Sequence, residues 1–178
     1  MASNHCFSSG QDRETGYSPD GFSSRLTWLE TARPRPTLGT MPSLGQVFAG
    51  VRTELGLPST VGFRVIVEGR ERALKPSLRE EIYQIVREAI ANACRHSRAE
   101  RIEAEIEYRP TELRIVVRDN GCGIDAEKLL HKRNELWGLQ EMRERAEQIG
   151  ARLRILSRVT LGTEVVLQVP SRTAFEQA

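Results

Sequence analysis

Two small sets of polar residues stand out by type and spacing. The first is Glu88, Asn92 and Arg95. Residues three and four apart share one side of a helix. A carboxylate there can polarise a nucleophile or take its proton. An amide oxygen suits Mg2+, which prefers oxygen ligands and keeps company with phosphates. A guanidinium can meet a phosphoryl oxygen. The second set is Asp119, Gly121 and Gly123. A carboxylate at a strand end can accept from a donor such as the amino group of adenine. The glycines, lacking a Cβ, let the backbone turn tightly and come close to a flat ligand. Taken alone, Asp-x-Gly-x-Gly also describes an ordinary turn.

The elements that carry these sets are legible from periodicity. Apolar residues at Leu78, Ile82, Ile85, Val86, Ala89, Ile90 and Ala93 trace one face of a helix over Ser77–His96, and Pro76 suits its start. Glu88, Asn92 and Arg95 lie just beside that face, at the rim where a cleft can open. Ile102, Ala104, Ile106 and Tyr108 alternate with Glu103, Glu105 and Glu107, a strand with one buried face. A turn at Arg109–Thr111 leads into Leu113–Arg118, so the two strands form a hairpin that delivers Asp119. A strand around Phe63–Glu68 precedes the helix. A helix over Leu139–Ile149, stopped by Gly150, and two strands, Arg152–Ser157 and Thr163–Val169, follow. The predicted fold is a two-layer α/β sandwich: a mixed, mostly antiparallel sheet with helices on one face.

Further out the signals thin. Residues 1–42 are rich in Ser, Gly, Thr, Pro and Arg and show no period, which predicts a disordered leader or linker. Residues 43–61 predict a short helical connector with Ser43 as N-cap and Gly56 as stop. Residues 62–170 form the domain proper, and 171–178 a frayed tail. Charged residues make up 28% of the chain, with 26 basic against 24 acidic, too balanced for a nucleic-acid footprint. No run approaches the roughly 20 apolar residues that span a bilayer. Cys6, Cys94 and Cys122 match no zinc spacing, so a reducing compartment is the simpler reading.

Glu88-x-x-x-Asn92-x-x-Arg95-His96, then Asp119-x-Gly121-x-Gly123, then Trp137-Gly138-Leu139 and Gly162-Thr163, resemble the N, G1, G2 and G3 boxes of the GHKL ATPase superfamily. With the run Gly138–Gly150, the chain is most similar to the ATP-binding catalytic domain of sensor histidine kinases that serve NarL-type response regulators. The resemblance implies ATP and Mg2+ as cofactors and the Bergerat fold. It implies that Asn92 holds Mg2+, that Glu88 is catalytic, and that Arg95 reaches a phosphate. It further implies that Asp119 receives the adenine amino group with Thr163 beside it, that Gly121, Gly123, Gly138 and Gly162 give backbone access, and that Leu139 belongs to the same nucleotide-binding set. The segment 125–136 stands where the family has its lid, with a short helix over Ala126–His131. Trp137 is either a reporter beside that lid or a core anchor.

The same resemblance implies partners. The phosphoacceptor histidine of the family sits on a separate helical dimerisation domain, and His5, His96 and His131 match no such run. The chain alone is therefore expected to bind ATP without phosphorylating itself on histidine, with a NarL-type regulator as an indirect partner. The expected location is cytoplasmic, including the cytoplasmic end of a membrane-bound sensor. Two other readings stay open: an anti-sigma-type serine kinase acting as a single regulatory module, and a degenerate domain that binds no nucleotide.

Overall fold

The computed structural model describes residues 41–124 and 133–176. Pro42–Ala178 makes one compact unit. The expected leader, and the expected lid helix over Ala126–His131, lie outside the described residues.

Helix α1 (Leu44–Glu54) opens with a capping box. The Ser43 hydroxyl accepts from the Gln46 amide at 3.1 Å, and the Gln46 side chain accepts from the Ser43 amide at 2.9 Å. The helix was expected as a connector. Instead Leu44, Phe48 and Val51 are buried in the common core, so it is part of the domain.

Strand β1 (Gly62–Gly69) and helix α2 (Pro76–His96) follow. Every residue of the predicted apolar face of α2 is buried. Pro76 takes a first-turn position, where its missing N–H costs nothing. Strands β2 (Arg101–Tyr108) and β3 (Glu112–Asp119) pair antiparallel, and β1 pairs parallel with β2. A parallel pair needs a long crossover, which α2 supplies. Helix α3 (Arg133–Gln148), strands β4 (Arg152–Arg158) and β5 (Gly162–Pro170) and a one-turn helix α4 (Ser171–Ala174) complete the described elements. The sheet order is β1-β2-β3-β5-β4.

One sheet face carries Ile102, Ala104, Ile106, Leu113, Ile115, Val117, Val165 and Leu167 into the core against α1, α2 and α3. The other face is laced with ion pairs. Glu103 meets Arg64, Glu107 meets Arg109 and Arg114, and Arg118 is shared by Glu105 and Glu164. Alternation along each strand produces this division, since successive side chains point to opposite faces.

Two expectations fail for packing reasons. Helix α3 begins at Arg133, well before Leu139, so Gly138 lies inside a helix rather than ahead of one. Residues 171–176 of the expected frayed tail are docked. Phe175 is 2% exposed, bridges Leu74, stacks near Tyr108 with centroids 6.2 Å apart, and lies under the Arg72 guanidinium. The Lys75 amide donates to Ala174 O and the Glu176 amide to Ala73 O. Removing a buried aromatic ring costs about 3–5 kcal/mol. Phe175→Ala is expected to lower unfolding free energy by about 3 kcal/mol in a urea titration, with an unchanged m-value.

Candidate functional site

Helix α2 carries the first set along its rim. Glu88 and Asn92 are half-buried and Arg95 is exposed. Arg95 comes within 3.7 Å of Glu88, a loose ion pair on the helix surface. The wall opposite is helix α3 at Gly138. A Cβ built there would stand 2.6 Å from Glu88 Oε1 and 3.5 Å from Asn92 Nδ2. The absent side chain thus leaves the place that the Glu88 carboxylate fills. Asn92 Nδ2 is buried and has no hydrogen-bond partner. An unpaired buried donor costs about 1–3 kcal/mol. Nδ2 lies toward α3, and an amide carries an acceptor oxygen as well, the atom type that suits a hard cation.

Strand β3 carries the second set. Asp119 continues the inward-facing row Leu113, Ile115, Val117, and it stands opposite Thr163 of β5 and Ile102 of β2. Its Oδ1 accepts from the Gly121 amide at 2.8 Å. Burial pushes the carboxyl above its ordinary 3.8, against the pull of hydrogen bonds from the Gly121 amide, the Ser97 side chain and the Thr163 backbone. Thr163 Oγ1 lies 2.9 Å from Ser157 Oγ. Ser157 also accepts from the Ile124 amide at 2.8 Å and donates to Gly162 O at 3.1 Å. One rung thus joins the end of β3, the start of β5 and the end of β4.

The two sets meet through the end of α2. Ser97 is its C-cap and is buried. Ser97 O accepts from the Cys122 amide at 2.7 Å. At 1.5 Å per residue, Asn92 stands roughly 7 Å and Glu88 roughly 13 Å back along the helix from that junction. A ligand with a flat base at one end and charged groups at the other suits such a spread.

Three of the glycines stand where a side chain has no room. A Cβ on Gly121 would fall 2.1 Å from Ser97 O. On Gly123 (φ +70) it would fall 2.2 Å from Arg158 O, and on Gly162 (φ +88) 2.0 Å from Asp119 O. The space that these glycines leave is filled by the protein's own backbone. A side chain at any of the three would collide with that backbone. Leu139 packs its side chain on the core. Trp137 is 72% exposed, so it is no core anchor. His96 is exposed rather than turned into the apolar face. Cys94 packs on the core, whereas Cys122 is exposed, its Sγ 3.5 Å from His96 O.

Three contributors escaped the sequence reading: Ser97, Ser157 and Asn120. Asn120 Oδ1 accepts from the amides of Glu100 and Arg101 at 3.0 and 2.8 Å, tying the start of β2 to the Asp119 loop. Ser157 had a signal, since its parity with Leu153 and Ile155 places it on the inward face. Ser97 had a weaker one, as a small polar residue just past a helix end.

Comparison with known proteins follows the same outline. The family described as histidine kinase-, DNA gyrase B-, and HSP90-like ATPase matches residues 77–173. Among curated proteins, the chain is 29% identical over 133 residues to the signal transduction histidine-protein kinase/phosphatase DegS of Bacillus subtilis, covering 75% of this chain and 34% of that protein. It is 31% identical over 114 residues to the sensor protein VraS of Staphylococcus saprophyticus, covering 64% of this chain and 32% of that protein. The chain thus spans about a third of the length of these relatives. Among solved structures, the histidine kinase domain of the Erythrobacter litoralis EL346 blue-light activated histidine kinase aligns with a TM-score of 0.60 at 19% identity, over 74% of this chain and 65% of that one. That likeness is one of fold.

Two outcomes are expected from this geometry. Gly138→Ala should displace the Glu88 carboxylate, a flexible side-chain end that can move cheaply, while gaining helix propensity of about 0.5–1 kcal/mol. Thermal melts should show stability kept or raised, while nucleotide turnover falls. Asp119 binds its proton more tightly folded than unfolded. It therefore favours folding below its ordinary 3.8, and that contribution is lost as pH rises through the higher folded-state value. Melts from about pH 3.5 to about pH 7 should show the stability of Asp119→Asn relative to the parent rising across that window.

Proposed function

This chain belongs to the histidine kinase-, DNA gyrase B-, and HSP90-like ATPase family, and we propose that it is the ATP-binding catalytic domain of a sensor histidine kinase, delivering the γ-phosphoryl group to a histidine on a separate helical domain. The observation that carries this reading is the buried, unpartnered Asn92 Nδ2 beside the Glu88 carboxylate, with Gly138 closing the other side. A structural asparagine in mid-helix would be expected to satisfy its own donor.

The roles follow from chemistry and position. Asp119, a carboxylate at the end of the core row, accepts the adenine amino group, and Thr163 flanks it across the rung. The close-packed backbone at Gly121, Gly123 and Gly162 gives the base a rigid wall. Asn92 would hold Mg2+ through its amide oxygen. The bound Mg2+ neutralises charge on the triphosphate. Arg95, exposed at the rim, swings to the phosphates, and its loose contact with Glu88 is readily exchanged for that anion. Glu88 accepts a hydrogen bond from the N–H of the incoming imidazole, which orients the lone pair of the other ring nitrogen toward the phosphorus. An adenine-reading carboxylate must be ionised to accept from the amino group, so burial that raises its proton affinity makes binding weaken as pH falls toward the carboxyl range.

The partners are a helical dimerisation and phosphoacceptor domain and, through it, a NarL-type response regulator. The site of action is the cytoplasmic side, where ATP is found. Among the described residues no helix is long and apolar enough to cross a membrane.

Calorimetry with a non-hydrolysable ATP analogue tests the assignment. Binding should be strengthened by Mg2+ in the parent, and Asn92→Ala should abolish that enhancement. Glu88→Gln should bind the analogue as the parent does. It should slow phosphoryl transfer to a separately supplied helical domain by about 100-fold, within the range for a general base. Equal metal dependence in Asn92→Ala and the parent would remove Asn92 from the metal site.

A further inference from the structure

Among the described residues strand β4 is an edge of the sheet, with no partner strand on one side of its backbone. It carries Arg152, Arg154 and Arg158, all exposed. Their register partners are Gln168, Val166 and Gly162, which places the three guanidinium groups on the sheet face away from the helices, with Leu156 between them. Alternate residues of a strand stand about 6.6–7 Å apart, so this is a stripe roughly 20 Å long.

The stripe is unlike the rest of that face. The glutamates that β2, β3 and β5 place there are Glu103, Glu105, Glu107, Glu112 and Glu164, and each meets an arginine of β1, β3 or the β2–β3 turn. The guanidinium groups of Arg152, Arg154 and Arg158 have no hydrogen bond or ion pair among the described residues. Positive charge at the β4 edge is therefore uncompensated. Exposed aliphatic side chains accompany it: Leu156 at 57%, Val159 at 58% and Leu161 at 69%. Charges that merely guard an edge against pairing do not explain three exposed aliphatic groups beside them, since such groups invite the association that guarding prevents. At the Arg152 end the strip runs into a depression of about 350 Å³ lined by Glu112, Gly150, Ala151, Arg152, Gln168 and Pro170.

We propose that the β4 edge, from Arg152 to the Val159–Leu161 tip, is a docking surface for an extended acidic segment of a partner protein, which adds to the sheet as a sixth strand. Main-chain hydrogen bonds to β4 hold such a segment. Carboxylates on alternate residues meet Arg152, Arg154 and Arg158, and an apolar residue covers Leu156. A second copy of the chain does not fit, because two such edges would set arginine against arginine. A bilayer supplies anionic charge but no strand to complete the ladder. The surface is also wired to the nucleotide site. The Thr160 amide donates to Cys122 O at 2.8 Å, and Gly123 lies against Arg158 O. A strand seated on β4 therefore bears on the loop that follows Asp119. The proposal stands apart from the assignment of the nucleotide.

The test uses the full chain and a fluorescent peptide, Glu-Thr-Leu-Thr-Glu-Thr-Glu-Thr, with a control in which lysine replaces each glutamate. Anisotropy should show micromolar binding of the acidic peptide and none of the control, weakening with salt. Charge reversal in Arg152→Glu, Arg154→Glu and Arg158→Glu combined should weaken binding more than about ten-fold. The neutral Arg→Gln triple should do so less, and both variants should melt with the parent because these guanidinium groups hold no hydrogen bond or ion pair among the described residues. Hydrogen exchange should show the outward amides of β4 slowed by the peptide. Binding that leaves β4 amides unprotected, or that survives charge reversal, would overturn the proposal. So would absence of peptide binding, including the case where vesicles rich in phosphatidylglycerol capture the chain instead.

Discussion

Three stretches of main chain meet at the carboxyl end of α2 with no room between them for a methyl group. Ser97 O faces Gly121, Asp119 O faces Gly162, and Arg158 O faces Gly123. Main-chain polar groups that such contacts bury need to find partners within the protein. The amides of Gly121, Cys122 and Thr160 do so, the first on Asp119 and the others on Ser97 O and Cys122 O. The helix, the central hairpin and the last hairpin are thereby fixed to one another, and the Asp119 carboxylate is held at their junction.

Helix α2 serves two masters, and the compromise shows in its sequence. Its apolar face supplies much of the core, from Leu78 to Ala93. Its rim must keep Glu88 and Asn92 half-buried with one amide donor unsatisfied. Such an orphan is tolerable because the surrounding burial is large: a fully buried Ile is worth about 1.5–3 kcal/mol, and Ile82, Ile85 and Ile90 are all within 1% of full burial. Gly138 extends the compromise to α3, where a residue poor in helix propensity is kept so that a carboxylate can sit against the helix.

Much of this was legible in the chain because it depends on short-range period. The buried face of α2, the alternation of β2 over Arg101–Tyr108 and the two hairpins follow from spacings of 3.6 and 2, and the polar sets at Glu88–Arg95 and Asp119–Gly123 follow from fixed offsets. What stayed hidden depends on partners distant in sequence. Gly138 reads as a helix breaker until Glu88 is set beside it. Phe175 sits in no periodic run, and its burial needs Leu74 and Arg72 about a hundred positions earlier. The glycines of the Asp119 loop read as a tight turn, and nothing local reveals that Ser97 and Arg158 stand where their side chains would go. The hydroxyl rung of Ser157 and Thr163 is likewise set by strand register alone.

The docked carboxyl terminus changes what that end of the molecule is. Phe175 and its neighbours clasp Ala73–Lys75, the loop from which α2 departs. Anything joined beyond residue 178 thus inherits a mechanical connection to the helix that bears Glu88 and Asn92. Tension on such an attachment would first peel the single bridge at Leu74, leaving the ladders of the sheet untouched. Residues 171–176 act as a tether with a release point, and a fusion placed beyond them pulls on the root of the helix that bears Glu88 and Asn92.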